Sequence, residues 1–224
     1  MAMVGKYSLK NERKFLQHCI DELSKSKLIL DAGGGPGFWE KRKGLQRPKS
    51  FDQIKSLRLD INPNKNPDIL ADIHNLRSIR SNTFDGIICT EVLEHAYNPF
   101  IAVKELRRIL KPKGKIFFSA PFMYPYHHWA PKEPYPGLEK VDDYYRYTEM
   151  GWKHLLKDFK KVETFKIGTY ADVFLHTLTG FKLKRTNPVY KVLRFFVNLI
   201  MMPFVGRGVQ FKNTCLNIMV LAEK

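Results

Sequence analysis

The sequence is short of the features that mark secreted, repetitive or disordered chains. It has three cysteines in 224 residues, Cys19, Cys89 and Cys215, scattered and outside any C-x-x-C pattern. That excludes a disulfide framework and fits reduced, mostly buried thiols in a cytosolic protein. The opening Met-Ala-Met-Val-Gly-Lys holds no apolar signal region, so a cytoplasmic location is expected, with attachment to the cytoplasmic face of a membrane left open. Internal repeats and low-complexity tracts are absent, and 44% hydrophobic residues exclude disorder as the general state. Acidic residues are scarce: 22 Asp and Glu face 38 Lys and Arg, a net charge of +16. The imbalance is greatest in residues 151 to 224, with 13 basic and 4 acidic side chains. An anionic partner fits this surplus, whether phosphorylated substrate, membrane lipid or RNA, and so does a merely soluble lysine-rich surface.

What is present is organised around residues 28 to 37, Leu-Ile-Leu-Asp-Ala-Gly-Gly-Gly-Pro-Gly. The apolar start suits a strand buried on both faces of a parallel sheet. Gly33, Gly34, Gly35 and Gly37 permit a tight turn with positive φ and let a ligand approach bare backbone. Phe38 onwards can open a helix whose free N–H groups face the same space.

Elsewhere the chain alternates. Leu9, Phe15, Leu16, Cys19, Ile20 and Leu23 predict an amphipathic helix over 9–23, capped by Ser8. Strands are expected at 56–61, 68–72, 83–90 and 115–120, with a helix between the last two that begins at Asn98-Pro99 and stops at Lys111-Pro112-Lys113-Gly114. Residues 121–147, rich in proline, histidine and tyrosine, read as a functional loop. A helix over 148–159, a strand over 162–167, an insertion sized for two helices and a last strand over 214–222 complete the chain. The expected fold is therefore α/β, one domain over 1–224 with a doubly wound sheet, a substrate loop at 121–147 and a helical basic-apolar insertion at 169–212. Ligands in such sheets bind at the carboxyl ends of strands, where Asp31, Asp60 and Asp72 fall.

The glycine turn, Asp60, Ala71-Asp72-Ile73, Cys89-Thr90-Glu91-Val92-Leu93-Glu94-His95 and Leu110-Lys111-Pro112-Lys113-Gly114, in that order, resemble the class I S-adenosylmethionine-dependent methyltransferases. The resemblance spans residues 25 to 120. It implies a seven-stranded Rossmann-like sheet with an antiparallel last strand and S-adenosylmethionine as cofactor. By the same resemblance Asp31, Gly33, Gly34, Gly35 and Gly37 would hold the methionine part and ribose edge. Asp60 would accept from the ribose hydroxyls, Asp72 and Ile73 would read the adenine edge, and Thr90 and Glu91 would line the pocket. Gly34 stands where cysteine is common, and the loop leading to Asp60 is longer than usual. Turn capping is the other role open to Asp60 and Asp72.

In part of that superfamily a string like Glu91-x-x-Glu94-His95 is associated with a divalent metal. Here the expectation is no metal, with Glu91 lining the pocket and Glu94 and His95 starting a helix. The segments 121–128 and 143–148 (Asp-Tyr-Tyr-Arg-Tyr-Thr) look like a subgroup associated with surface-polysaccharide synthesis. They offer His127 or His128 as the base for an acceptor hydroxyl and Arg146 as a grip for an acceptor anion, unless Arg146 pairs with Asp142 or Asp143.

Asn187-Pro188 starts a further helix over 189–205 that is apolar except for Tyr190, Lys191, Arg194 and Asn198. With Lys182, Lys184 and Arg185 nearby it fits a helix lying in a membrane interface, or else core packing or a dimer interface. The expected function is methyl transfer to oxygen of an anionic or lipid-linked glycan or an amphipathic metabolite. The alternatives are a 2′-O RNA methyltransferase and a catalytically silent S-adenosylmethionine-binding module. RNA base methylation is disfavoured because no Pro-Cys or Pro-Pro-Tyr dipeptide or tripeptide motif occurs. An NAD dehydrogenase is disfavoured because the glycines lack the full G-x-G-x-x-G spacing.

Overall fold

A computed structural model describes residues 9–33, 54–127, 141–178, 187–205 and 214–224, with side chains at 11–33, 54–127, 141–178, 187–200 and 214–224. The expectations for Gly34, Gly35, Gly37, the helix from Phe38, His128 and the 182–185 basic cluster lie outside these residues.

The elements run α1 (Leu9–Leu23), β1 (Leu28–Ala32), β2 (Lys55–Asp60), β3 (Ile69–Leu70), β4 (Phe84–Thr90), α2 (Pro99–Ile109), β5 (Leu110–Pro121), α3 (Glu149–Leu155), β6 (Lys161–Ile167), α4 (Tyr170–Leu178), α5 (Pro188–Val205) and β7 (Asn217–Glu223). The strands form one seven-stranded sheet in the order β3-β2-β1-β4-β5-β7-β6. The first five in that order are parallel, and β7 runs antiparallel to both neighbours, β5 and β6. This is the expected doubly wound sheet with an antiparallel last strand.

Alternation along the central strands explains the two-faced core. Ile87, Cys89, Ile116 and Phe118 point to one face and pack with Ala102, Val103, Leu106 and Ile109 of α2 and with Trp152 of α3. Their neighbours Ile88 and Phe117 point to the other face and meet Leu16, Cys19, Ile20 and Leu23 of α1. Asn98 caps α2 as expected, its side chain accepting from the Ile101 N–H at 3.2 Å with Pro99 in the first turn.

Three boundaries differ from the sequence reading. Lys111-Pro112-Lys113-Gly114 is not a turn after α2 but part of β5, which begins at Leu110. Leu110 pairs with Phe84 and Lys115 with Gly86, so the four residues between them are taken up by a bulge, with Lys113 at φ 65°. Proline and a positive φ are tolerated there because the bulge takes this stretch out of the pairing with β4, while Lys113 N–H and Gly114 O bond to Lys224 instead. The third strand shrinks to Ile69–Leu70, since β2 offers partners only at Leu59 and Asp60. Helix α3 ends at Leu155, where the chain tightens: Leu156 N–H bonds back to Trp152 O, and Lys157 and Phe159 N–H reach only three residues back.

Candidate functional site

The parallel strands all end at one edge of the sheet, and a cleft of about 440 Å³ opens there. Gly33, Asp60, Asp72, Ile73, Glu91 and His127 line it together, drawn from five separate stretches of chain. Thr90 is buried at the end of β4, and Asp31, second from the end of β1, is buried beneath the edge.

Gly33 is required on two counts. Its φ is +76°, and a Cβ there would lie 2.4 Å from Val92 Cγ2. Its N–H donates to Leu59 O at 2.7 Å, which ties the end of β1 to β2. Asp31 Oδ1 is buried and has no hydrogen-bond partner. Burial pushes its carboxyl up to about 6, helped by the charge of Asp60 and opposed by Arg58. An orphaned acceptor two residues before a bare-backbone turn is a group awaiting a donor.

Asp60 is buried, and both its oxygens are engaged: Oδ1 accepts from Asn62 N–H at 2.9 Å and Oδ2 from Lys65 Nζ at 2.8 Å. Asp72 Oδ1 likewise accepts from the backbone N–H of His74 at 2.9 Å and sits 2.6 Å from His74 Nδ1. Turn capping and cleft lining therefore coincide at both aspartates. His74 Nε2 accepts from Asn98 N–H at 3.3 Å, which puts the ring proton on Nδ1, facing Asp72. The His74 ring stacks on Tyr97, with centroids 3.9 Å apart and planes 23° apart. This stack forms one wall of the cleft, and sequence reasoning missed it: the two residues are 23 positions apart and carry no motif.

Beyond β4 the chain turns sharply, with Glu91 at φ 55°. The Glu91 N–H is held by Ser119 O, and its Oε1 accepts from Ser119 Oγ at 2.6 Å and Asn217 Nδ2 at 2.8 Å. Residues Leu93–His95 form a 3₁₀ turn rather than the start of α2. Glu94 is fully buried, and neither carboxylate oxygen has a hydrogen-bond partner. Burial, with the Glu91 charge second, pushes it up to about 9, so it is neutral at pH 7. Burial also lowers His95, whose Nδ1 donates to Asp142 O at 2.7 Å. Glu94, His95 and His127 each bring one donor atom within 4.8 Å of the others. Glu91, part of the sequence string, is held away from this group by Ser119 and Asn217.

The described part of the substrate loop is fastened to this turn. Tyr144 and Tyr145 N–H both donate to Glu94 O, at 2.7 and 3.2 Å, and Tyr147 OH donates to Leu93 O at 2.7 Å. Inside the loop, Asp143 accepts from His127 N–H at 2.8 Å and lies 3.2 Å from His127 Nδ1. Burial pushes the Asp143 carboxyl up, but the Arg146 guanidinium and the His127 N–H outweigh it and hold it below the usual carboxylate range. Arg146, expected as a grip for an acceptor anion, instead pairs with Asp143 and donates to Tyr124 O, Pro125 O and Tyr145 O. Its five donors fit a crowded set of carbonyls better than a lone ligand. Sequence reasoning allowed that pairing but did not single out Asp143, which joins His127 to Arg146.

Residues 48–118 match the family model described as a methyltransferase domain. Across nearly the whole chain the fold follows that of a SAM-dependent methyltransferase from Archaeoglobus fulgidus, with a TM-score of 0.57 at 18% identity, covering 97% of this chain and 95% of the other. The chain thus resembles S-adenosylmethionine-dependent methyltransferases in sequence over residues 48–118 and in fold across nearly its whole length. Among curated relatives, an uncharacterised protein of Methanocaldococcus jannaschii is 38% identical over 99 residues, 42% of this chain and 41% of its own length. A ubiquinone biosynthesis O-methyltransferase of Neisseria meningitidis is 29% identical over 103 residues, 42% of this chain and 43% of that protein. The aligned stretch thus spans about two fifths of either relative. The fold is also that of the [4+2]-cyclase SpnF, with a TM-score of 0.53 at 14% identity over 99% of this chain and 85% of the other.

Proposed function

We propose that the protein transfers a methyl group from S-adenosylmethionine to a hydroxyl oxygen of an amphipathic or lipid-linked acceptor. The observation that carries this reading is the single cleft in which Gly33, Asp60, Asp72 and Glu91 face His127. The residues suit the cofactor: an orphaned Asp31 oxygen, a turn that a Cβ would fill, and a stacked wall at His74 and Tyr97. Asp60 would accept from the ribose diol, Asp72 and Ile73 would meet the adenine edge, and Asp31 with Gly33 would receive the methionine end. When bound, the cofactor supplies an electrophilic methyl group on a sulfonium.

The chain's own part is alignment and proton removal. Asp143 holds His127 by its backbone and its Nδ1, which leaves Nε2 as the atom to take the acceptor's proton. Arg146 pins Asp143 and so acts as a positioning residue. An acceptor with an apolar part agrees with the O-methyltransferase from Neisseria and with the exposed tyrosines that line the cleft, Tyr97 and Tyr144. An anionic glycan acceptor has less support, because Arg146 is occupied inside the protein.

Titration calorimetry with S-adenosylmethionine tests the cofactor half: binding that Gly33→Arg abolishes is expected, and no binding, or binding unchanged by Gly33→Arg, overturns it. SpnF makes the second half a separate question, since this fold also serves a reaction that is not methyl transfer. Release of S-adenosylhomocysteine in the presence of long-chain phenols and lipid-linked sugars is the assay. His127→Ala is expected to lower kcat by about 10²–10⁴ with cofactor affinity unchanged. Cofactor binding with no turnover on any hydroxyl acceptor would favour a silent binding module.

A further inference from the structure

Helix α5 is turned the opposite way from an ordinary surface helix. Its inner side carries polar groups: Tyr190 is buried, Arg194 and Asn198 are half-buried with Val197 beside them, and Lys191 alone of the polar positions is exposed. Its outward face carries Val192, Phe195, Phe196, Leu199 and Ile200, each between 52% and 64% exposed. Phe174 and Leu178 of α4 are exposed alongside, at 54% and 70%. Water-soluble helices bury the apolar stripe and show the polar one, so the core-packing alternative fails for this element.

The inversion is held in place by one buried carboxylate. Asp172 of α4, fully buried, accepts from Thr169 N–H at 2.8 Å and Thr169 Oγ1 at 3.0 Å. It also accepts from Tyr190 OH at 2.7 Å and pairs with Arg194 Nε at 3.1 Å. The polar side of α5 is thereby latched to α4, and its apolar side can only face outward.

Charge identifies the occupant. Between residues 169 and 213 the sole acidic residue is Asp172, already paired inside, against seven Lys and Arg from Lys182 to Lys212. An apolar face on a segment of one sign repels a second copy of itself and suits an anionic lipid surface. At about 1.5 Å per residue, α5 is about 27 Å long, and among the described residues no helix is long and apolar enough to cross a bilayer. We infer that the α4–α5 hairpin lies in the plane of an anionic phospholipid bilayer, with Phe195, Phe196, Leu199 and Ile200 inserted among the acyl chains.

Both roots of the hairpin segment sit at the edge where the cleft opens. Ile167, at the end of β6, is paired with Asn217 at the start of β7, and Asn217 in turn contacts Glu91 in the cleft wall. Membrane docking there would present the cleft to acceptors dissolved in the bilayer. Docking itself does not depend on the methyl-transfer reading.

The test is vesicle flotation with the full chain, without cofactor or acceptor, so that a failed activity assay and a failed docking assay remain distinct. The expected result is binding to mixed phosphatidylcholine–phosphatidylserine vesicles at about three to one, weakened in pure phosphatidylcholine and by high salt. Phe195→Ser with Ile200→Ser should lower the partition coefficient by about tenfold or more. Both positions are exposed, so an unchanged melting temperature checks that the double variant is folded. Absence of flotation in the wild type, or flotation unaffected by the double variant, overturns the proposal. So does a dimer in light scattering that the double variant dissociates, which would assign the face to a second copy.

Discussion

The sheet that carries the cleft and the α4–α5 hairpin solve opposite problems with the same residue types. In the sheet, phenylalanines such as Phe117 and Phe118 are fully buried, and the carboxylates gather at the strand ends. In the hairpin the carboxylate of Asp172 is buried and Phe174, Phe195 and Phe196 are outside. Hydrophobicity alone therefore does not decide which face of an element is the inner one. A single buried polar latch does so when its partners lie four residues apart on one helix face, as Tyr190 and Arg194 do around Asp172.

The sharpest way to break this comparison is to truncate one phenylalanine from each region. Phe118→Ala removes a side chain packed between sheet and helix and should cost about 3–5 kcal/mol of stability. Phe195→Ala should stay within about 0.5 kcal/mol, because its ring is already in contact with water. Denaturant midpoints measure both, and similar losses would mean that the hairpin face is covered in the protein itself.

A second contrast concerns the two carboxyls, Asp31 and Glu94, with buried oxygens that no hydrogen bond satisfies. Glu94 is raised in the fold from 4.5 to about 9. Its contribution to stability is therefore fully present below about pH 4.5 and is lost as pH rises to about 9, at up to about 1.4 kcal/mol per pH unit. Asp31, raised from 3.8 to about 6, adds a shorter window of the same sign. Glu94→Gln should flatten the fall of melting temperature between pH 6 and 9, measured side by side with the wild type. An unchanged slope would show that Glu94 titrates normally.

Smaller effects refine the picture. Gly33→Ala should cost about 1–3 kcal/mol in stability from its φ and its clash with Val92, and part should return in a Val92→Ala background. Recovery leaves only the backbone strain, so complete recovery would show that the positive φ matters little. Tyr190→Phe, which removes one of several donors to Asp172, should cost about 1–2 kcal/mol. A loss confined to the hairpin, read by protection of α5 amides from exchange, is the expected signature.

Much of the fold could be read from the sequence because strand periodicity and the Asn98-Pro99 cap are local signals. The bulge at Lys111–Gly114 was not legible, since its cause is the pairing of Leu110 with Phe84 rather than anything in the tetrapeptide. The position of Gly33, Asp60 and Asp72 at the cleft was legible because a strand end followed by a carboxylate or glycine is a short pattern. The dual engagement of Asp60 by Asn62 and Lys65 was not, nor was the His74–Tyr97 wall, nor the role of Asp143, since each depends on chain folding back on itself. For α5 the composition was plain and the orientation was not. The three possibilities of core, dimer and membrane share one hydrophobic pattern and differ only in what the Asp172 latch turns outward.

The slot that β7 occupies bears on how the chain assembles as it is made. Strand β7 enters between β5 and β6, so β6 has no hydrogen-bonded neighbour in the sheet until β7 arrives. During synthesis the ribosome releases β6, α4 and α5 first, leaving the open edge of β5 and the apolar hairpin face in solution together. That interval combines an unpaired strand edge with exposed phenylalanines, the two hazards that invite aggregation of a nascent chain. A membrane surface or a holding chaperone close to the tunnel exit would shield one of them, so yield in cell-free synthesis should rise when liposomes are present during translation rather than added afterwards.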